Sequence, residues 1–224
     1  MTSQPVVGRH SALIPASSFV GVVALLVAAA GCTGVSRLPQ EEDLHPRLTP
    51  TAYIEEGKLL VFAVDTNAAV HRETSAFVPV GVVVANKTMR KLALNRESFT
   101  LVDDAGKRYP LASVTEARST GAQINGDYRY TQNFFEVNAM SFSAWRYQTG
   151  SFFPVQAAEQ ESSAHRTLRE SVEMNERMYL NDILYFPHPD GVMTGRKFEL
   201  WMTSPDLTEP VFVKFRIGKA KQKS

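Results

Sequence analysis

Alternation of apolar and polar side chains is cleanest near the C-terminus. In VFVKFRI, Val211, Val213, Phe215 and Ile217 share one face while Phe212, Lys214 and Arg216 share the other, a period of two that predicts a half-buried strand. FELWMT groups Phe198, Leu200 and Met202, and RMYLNDILYFP groups Met178, Leu180, Leu184 and Phe186 ahead of a turn at HPDG. Upstream, KLLVFAVDT is a short β-rich run. FVPVGVVVANKT places Val80, Val82 and Val84 on one face, with a turn at Asn86-Lys87. Pro79 removes a backbone donor and so belongs at an edge or bulge of its strand. In SFTLVDDAGKRYPLAS, two runs flank Asp103-Asp104-Ala105-Gly106, which predicts a β-hairpin. Several short alternating strands separated by turns predict a mainly β chain, an antiparallel sandwich of the immunoglobulin-like kind over residues 57–218.

The pattern breaks between about residues 115 and 169, which read as an irregular, short-helical insertion. Nine aromatics fall there: Tyr128, Tyr130, Phe134, Phe135, Phe142, Trp145, Tyr147, Phe152 and Phe153. The following AAEQESSAHRTLRESV is polar and helix-favouring, with a thin stripe of Ala164, Leu168 and Val172 that predicts a short surface helix. The five phenylalanines are candidates for completing the core. Tyr128, Tyr130, Trp145 and Tyr147 are candidate partner-binding residues, because Tyr and Trp combine large area with a polar handle.

The N-terminus follows a different logic. After Arg9 no charged residue appears until Arg37, and Phe19 to Ala30 is a continuous apolar run ending in small residues. A spanning helix needs about 20 predominantly apolar residues, so residues 1–31 read as an export signal. The one cysteine, Cys32, directly follows that run. Ala29-Ala30-Gly31-Cys32 resembles the lipobox of bacterial lipoproteins, although Ala29 stands where that family more often has Leu or Val. The resemblance implies cleavage before Cys32 and acylation of it, making Cys32 an anchor to the lipid bilayer. The residue-level alternative is a small apolar residue in an ordinary signal or an uncleaved anchor. Thr33, where inner-membrane lipoproteins typically carry Asp, implies the outer membrane with the domain facing the periplasm. Residues 32–56 hold Pro39, Pro46 and Pro50 with no apolar periodicity. They read as the lipidated N-terminus and a flexible tether with a reach on the order of 25–30 Å.

FVPVGVVVANKT, SFTLVDDAGKRYPL, DILYFPHPDG and FELWMTSPDLTEPVFVKFRI, in that order, resemble the immunoglobulin-like extracytoplasmic domains of many small bacterial lipoproteins. The likeness is one of style and order, without a chemical motif. It implies binding or scaffolding rather than catalysis, by analogy of fold.

Composition narrows the function further. Without residues 1–31 the chain carries 23 basic against 23 acidic residues, so nothing in its net charge favours nucleic acid. No cysteine remains for disulfides or metal. His45, His71, His165 and His188 lack HExxH or paired spacing, and no cofactor is expected. There is no GxSxG elbow and no SxxK. GAQING lacks the lysine and hydroxyl residue of a phosphate loop, and Asp103-Asp104 lacks the alternating acids of a calcium loop. Residues 219–224 form a basic tail with Lys219, Lys221 and Lys223. The expectation is a non-catalytic module that binds another envelope protein. A carrier of a small apolar or aromatic ligand is the alternative, and a hydrolase the third.

Overall fold

The computed structural model describes residues 43–119, 124–153 and 167–218. Cys32, residues 1–42 and the basic tail lie outside them. The described chain is mainly β, with antiparallel sheets. Strands β1 (Ala52–Glu56) and β2 (Leu60–Asp65) form a hairpin, a one-turn helix α1 (Asn67–Val70) follows, and β3 (Phe77–Asn86) returns along β2. Then come β4 (Lys91–Asn95), the hairpin β5 (Phe99–Asp103) and β6 (Arg108–Pro110), and helices α2 (Val114–Ser119) and α3 (Ile124–Ser141). Two-residue strands β7 (Arg146–Tyr147), β8 (Gly150–Ser151) and β9 (Thr167–Leu168) precede β10 (Ser171–Asn175), β11 (Met178–Pro187), β12 (Lys197–Met202) and β13 (Val211–Arg216).

One sheet runs β1-β2-β3-β11-β7 and a second runs β13-β12-β5-β6, while β4 pairs with β10. The two larger sheets share a core in which Tyr53 meets Phe215 and Phe62 meets Phe99. Of the predicted inward residues, Phe198, Leu200, Met202, Val213, Phe215 and Ile217 are buried and Val211, at the strand's start, is half-buried. β3 is buried from Val78 to Asn86 and β11 from Tyr179 to Phe186, because α3 covers the face that the second sheet does not. Near-continuous apolar runs are what strands covered on both faces require. Pro79 lies beyond the last β2 partner, Gly81 opposite Asp65, which is an edge position within an otherwise central strand.

Three expectations need correction. The tether does not extend to residue 56: β1 occupies its last five positions, and Leu44 is buried. His45 N–H donates to Lys214 O, Ile54 N–H to Pro46 O, and Leu48 N–H to Ala52 O. The segment is recruited by open backbone edges of β1 and β13 and by Asp43 and His45, which pair with Lys197, Lys214 and Phe212, contacts that follow no side-chain period. The insertion is likewise not irregular, since α3 is an 18-residue helix. Its buried stripe runs Asp127, Thr131, Phe134, Phe135 and Asn138. Three of those five side chains are polar, which hides the helical period from a hydropathy reading. As for the expected surface helix, residues 154–166 lie outside the description and 167–168 and 171–175 are strand, with Val172 and Met174 buried around exposed Glu173.

Candidate functional site

Helix α3 positions most of the aromatic stretch, and a polar network at its N-terminal half pins it. Asp127, in the first turn where a carboxylate suits the helix dipole, accepts from Arg72 Nε at 2.7 Å and from Tyr185 Oη at 3.1 Å. Burial holds the Asp127 carboxyl above its usual range, with Arg72 opposing. Burial also pushes Tyr185 well up, with Asp127 adding to the effect. Asp65, at the end of β2, is pushed to about 6 by burial. Asn67 Nδ2 donates to Tyr130 O at 2.7 Å, and the His71 ring stacks on Tyr130 at 4.1 Å.

At the far end of α3 the chain turns through Phe142 N–H to Asn138 O and Trp145 N–H to Phe142 O. It enters β7, which lies parallel to the start of β11. Here four rings form a continuous ladder: Trp145 on Phe142 at 4.9 Å, Phe142 on Tyr179 at 5.5 Å, and Tyr179 on Tyr147 at 5.2 Å. Tyr147 Oη donates to Asn181 Oδ1 at 2.7 Å, which fixes its ring while leaving it 37% exposed. Met140, 69% exposed, stands on the last turn of α3.

The next residues are locked by a buried carboxylate. Asp182 is fully buried on the core side of β11, opposite Val82. It accepts from Ser151 Oγ and from Phe152 N–H, both at 2.7 Å. Arg96 donates to Phe152 O at 2.7 Å and to Ala112 O, with its guanidinium over the Phe153 ring. Desolvation lowers the Arg96 pKa. Ser151, Asp182 and Arg96 thus act as a structural clamp.

The four candidate residues therefore divide. Trp145 and Tyr147 come together, joined by Phe142 and Tyr179. Tyr130 belongs to the polar end of α3, and half-buried Tyr128 packs on Phe135 at 5.8 Å; they sit roughly 20 Å of helix away from Phe142. Of the five phenylalanines expected in the core, Phe134, Phe135, Phe152 and Phe153 are buried, whereas Phe142 is only partly buried and belongs to the ladder. Tyr179 was missed because it reads as an ordinary strand residue. Asp182 was missed although it is the one charge interrupting an inward row, Leu180, Asp182, Leu184, and that interruption was its legible signal. A cleft of about 360 Å³ opens elsewhere, on the outer face of the second sheet, bordered by Asp43, Asp104, Lys197, Glu199 and Lys214. Its charged rim is unsuited to an apolar ligand.

No family model matches the sequence, and no curated protein matches it. Among solved structures the chain is similar to a Bacillus subtilis protein described as a "putative lipoprotein (ycdA)", at 11% identity and a TM-score of 0.36, over 73% of this chain and 38% of that one. The chain thus spans less than two fifths of that protein.

Proposed function

We propose that this is a bacterial lipoprotein, acylated at Cys32 and held at the outer membrane facing the periplasm, whose immunoglobulin-like domain is a non-catalytic binding module for another envelope protein. The observation that carries the reading is the ladder Trp145–Phe142–Tyr179–Tyr147, ordered by the Tyr147–Asn181 bond and open at Tyr147 and Met140. Rigid Trp and Tyr beside Met and Arg is the composition that dominates interface energetics. Among the described residues no helix is long and apolar enough to cross a membrane, which is compatible with attachment through lipid. Between Cys32 and Asp43 the chain reaches at most about 40 Å at full extension, so the domain would work close to its bilayer.

The test is in-cell photo-crosslinking with the crosslinking residue at Met140, Cys32 intact, in chains with Trp145 or with Trp145→Ala. The reading expects a discrete protein adduct that the substitution abolishes, with Tm lowered by less than about 4 °C. A large fall in Tm with an unchanged adduct would sink it. The intact mass of the mature chain tests acylation separately.

A further inference from the structure

Three tight turns and the short strand β7 converge at the end of the five-stranded sheet where β3 finishes and β11 begins. Lys87 N–H donates to Leu59 O, Arg177 N–H to Asn86 O, and Arg146 N–H to Arg177 O, each at 2.9 Å. The β1–β2 turn, the β3–β4 turn, the β10–β11 turn and β7 are therefore joined in one hydrogen-bonded row across β2, β3, β11 and β7. At about 4.8 Å per strand the row is roughly 15 Å long. Fully buried Asn86 braces it: Nδ2 donates to Met89 O and Met174 O, and Oδ1 accepts from Met89 N–H. This end is built, and its shape does not depend on a partner.

Its charge is not that of the whole chain. Lys58, Arg90, Arg146 and Arg177 are exposed there and form no ion pair among the described residues. Lys87 lies 3.6 Å from Glu56 and Lys91 lies 2.7 Å from Glu173, and Glu176 is the remaining carboxylate of these turns. Leu59, 48% exposed, sits at one end of the row, and Trp145 with Tyr147 at the other.

Resting on the protein-binding reading above, we infer that this row is the electrostatic part of the same interface and that the partner presents a carboxylate-rich surface to it. Three of the four unpaired cations are arginines, whose planar fork pairs bidentately with carboxylates. Arginine is also enriched at protein interfaces where lysine is depleted. Interspersed Glu56, Glu173 and Glu176 give a mixed-sign pattern that fixes register with one partner. A uniformly anionic bilayer would attract the cations but repel the interspersed carboxylates, whereas a protein surface can match both signs.

The experiment uses the full chain in cells with the crosslinking residue at Leu59, and in parallel at Met140. Lys58→Glu, Arg90→Glu, Arg146→Glu and Arg177→Glu are introduced together, with a control carrying Gln at all four positions and Tm measured for each. The expected result is one protein adduct from both positions, identified by mass spectrometry. Charge reversal should reduce it at least about tenfold, neutralisation less so, and reversal of the partner's own carboxylates should restore it. An adduct from Met140 that is indifferent to reversal would overturn the inference and leave the ladder as the interface. A Leu59 adduct consisting of phospholipid or lipopolysaccharide would also overturn it. No adduct from either position would instead defeat the binding reading itself.

Discussion

Gly81 of β3 lies directly beneath Thr131 of α3. A Cβ at position 81 would stand 3.0 Å from Thr131 Cγ2 and 3.4 Å from Asp65 Cβ. The helix approaches the sheet this closely because one strand position carries no side chain, and the Thr131 side chain sits over that gap. Gly81→Val should therefore lift α3, costing about 1–3 kcal/mol by overpacking. The midpoint of urea unfolding measures the cost, and hydrogen exchange over 124–141 should quicken selectively. Unchanged exchange in that helix would show that the close approach is incidental.

Asp182 faces the core with three donors around it: Ser151 Oγ, Phe152 N–H and its neighbour Ile183 N–H at 2.8 Å. Asp182→Ala would strand buried donors as well as remove a side chain, so a loss of about 2–4 kcal/mol is expected. Asp182→Asn retains one acceptor oxygen and should lose less. Chemical denaturation of both variants orders them, and equal losses would contradict the clamp.

Burial raises Asp65 from 3.8 to about 6. The unfolded carboxyl ionises first, so this group lowers stability progressively as pH rises from about 4 to 6, and the penalty persists above that. Asp65→Asn should raise stability at pH 7.5 by up to about 3 kcal/mol and bring little at pH 4. Paired Tm measurements at the two pH values decide it, and a gain that is the same at both would rule out ionisation as its cause.

Arg72 Nε and Asp127 Oδ1 meet at 2.7 Å, with the Asp127 side chain almost wholly buried. Arg72→Ala leaves that charge with the Tyr185 hydroxyl as its remaining side-chain donor among the described residues, and removing one member of a buried pair costs about 3–5 kcal/mol. The double variant Arg72→Ala/Asp127→Asn should recover part of the loss. A double-mutant cycle with no coupling would show that other contacts seat the helix.

Much of the framework was legible in the sequence for a simple reason. A strand with one covered face must alternate, and a strand covered on both faces must be nearly all apolar. VFVKFRI, FELWMT and FVPVGVVVAN could hardly be anything else, and Asp103 to Gly106 had to turn the chain. The apolar run ending at Cys32 is a similarly local statement, written in consecutive residues. Helix α3 was not legible, because its buried stripe includes Asp127, Thr131 and Asn138. Those residues are paid for by distant partners or by the helix's own carbonyls. Nor was the strap from His45 to Leu48, which is held by backbone hydrogen bonds and by His45 contacts to Lys214, Glu55 and Phe212, residues far from it in sequence or lying on other strands.

The candidate site belongs to the tertiary structure almost entirely. Trp145 and Tyr147 stood out as residue types, but only the parallel pairing of β7 with β11 sets them against Tyr179 and Asn181. Lys58, Arg90, Arg146 and Arg177 lie in four separate stretches of a chain with 24 basic and 23 acidic residues. Sheet order and strand register bring those stretches to one end of one sheet. Sequence determines what each segment can bury; long-range pairing decides which exposed residues become neighbours.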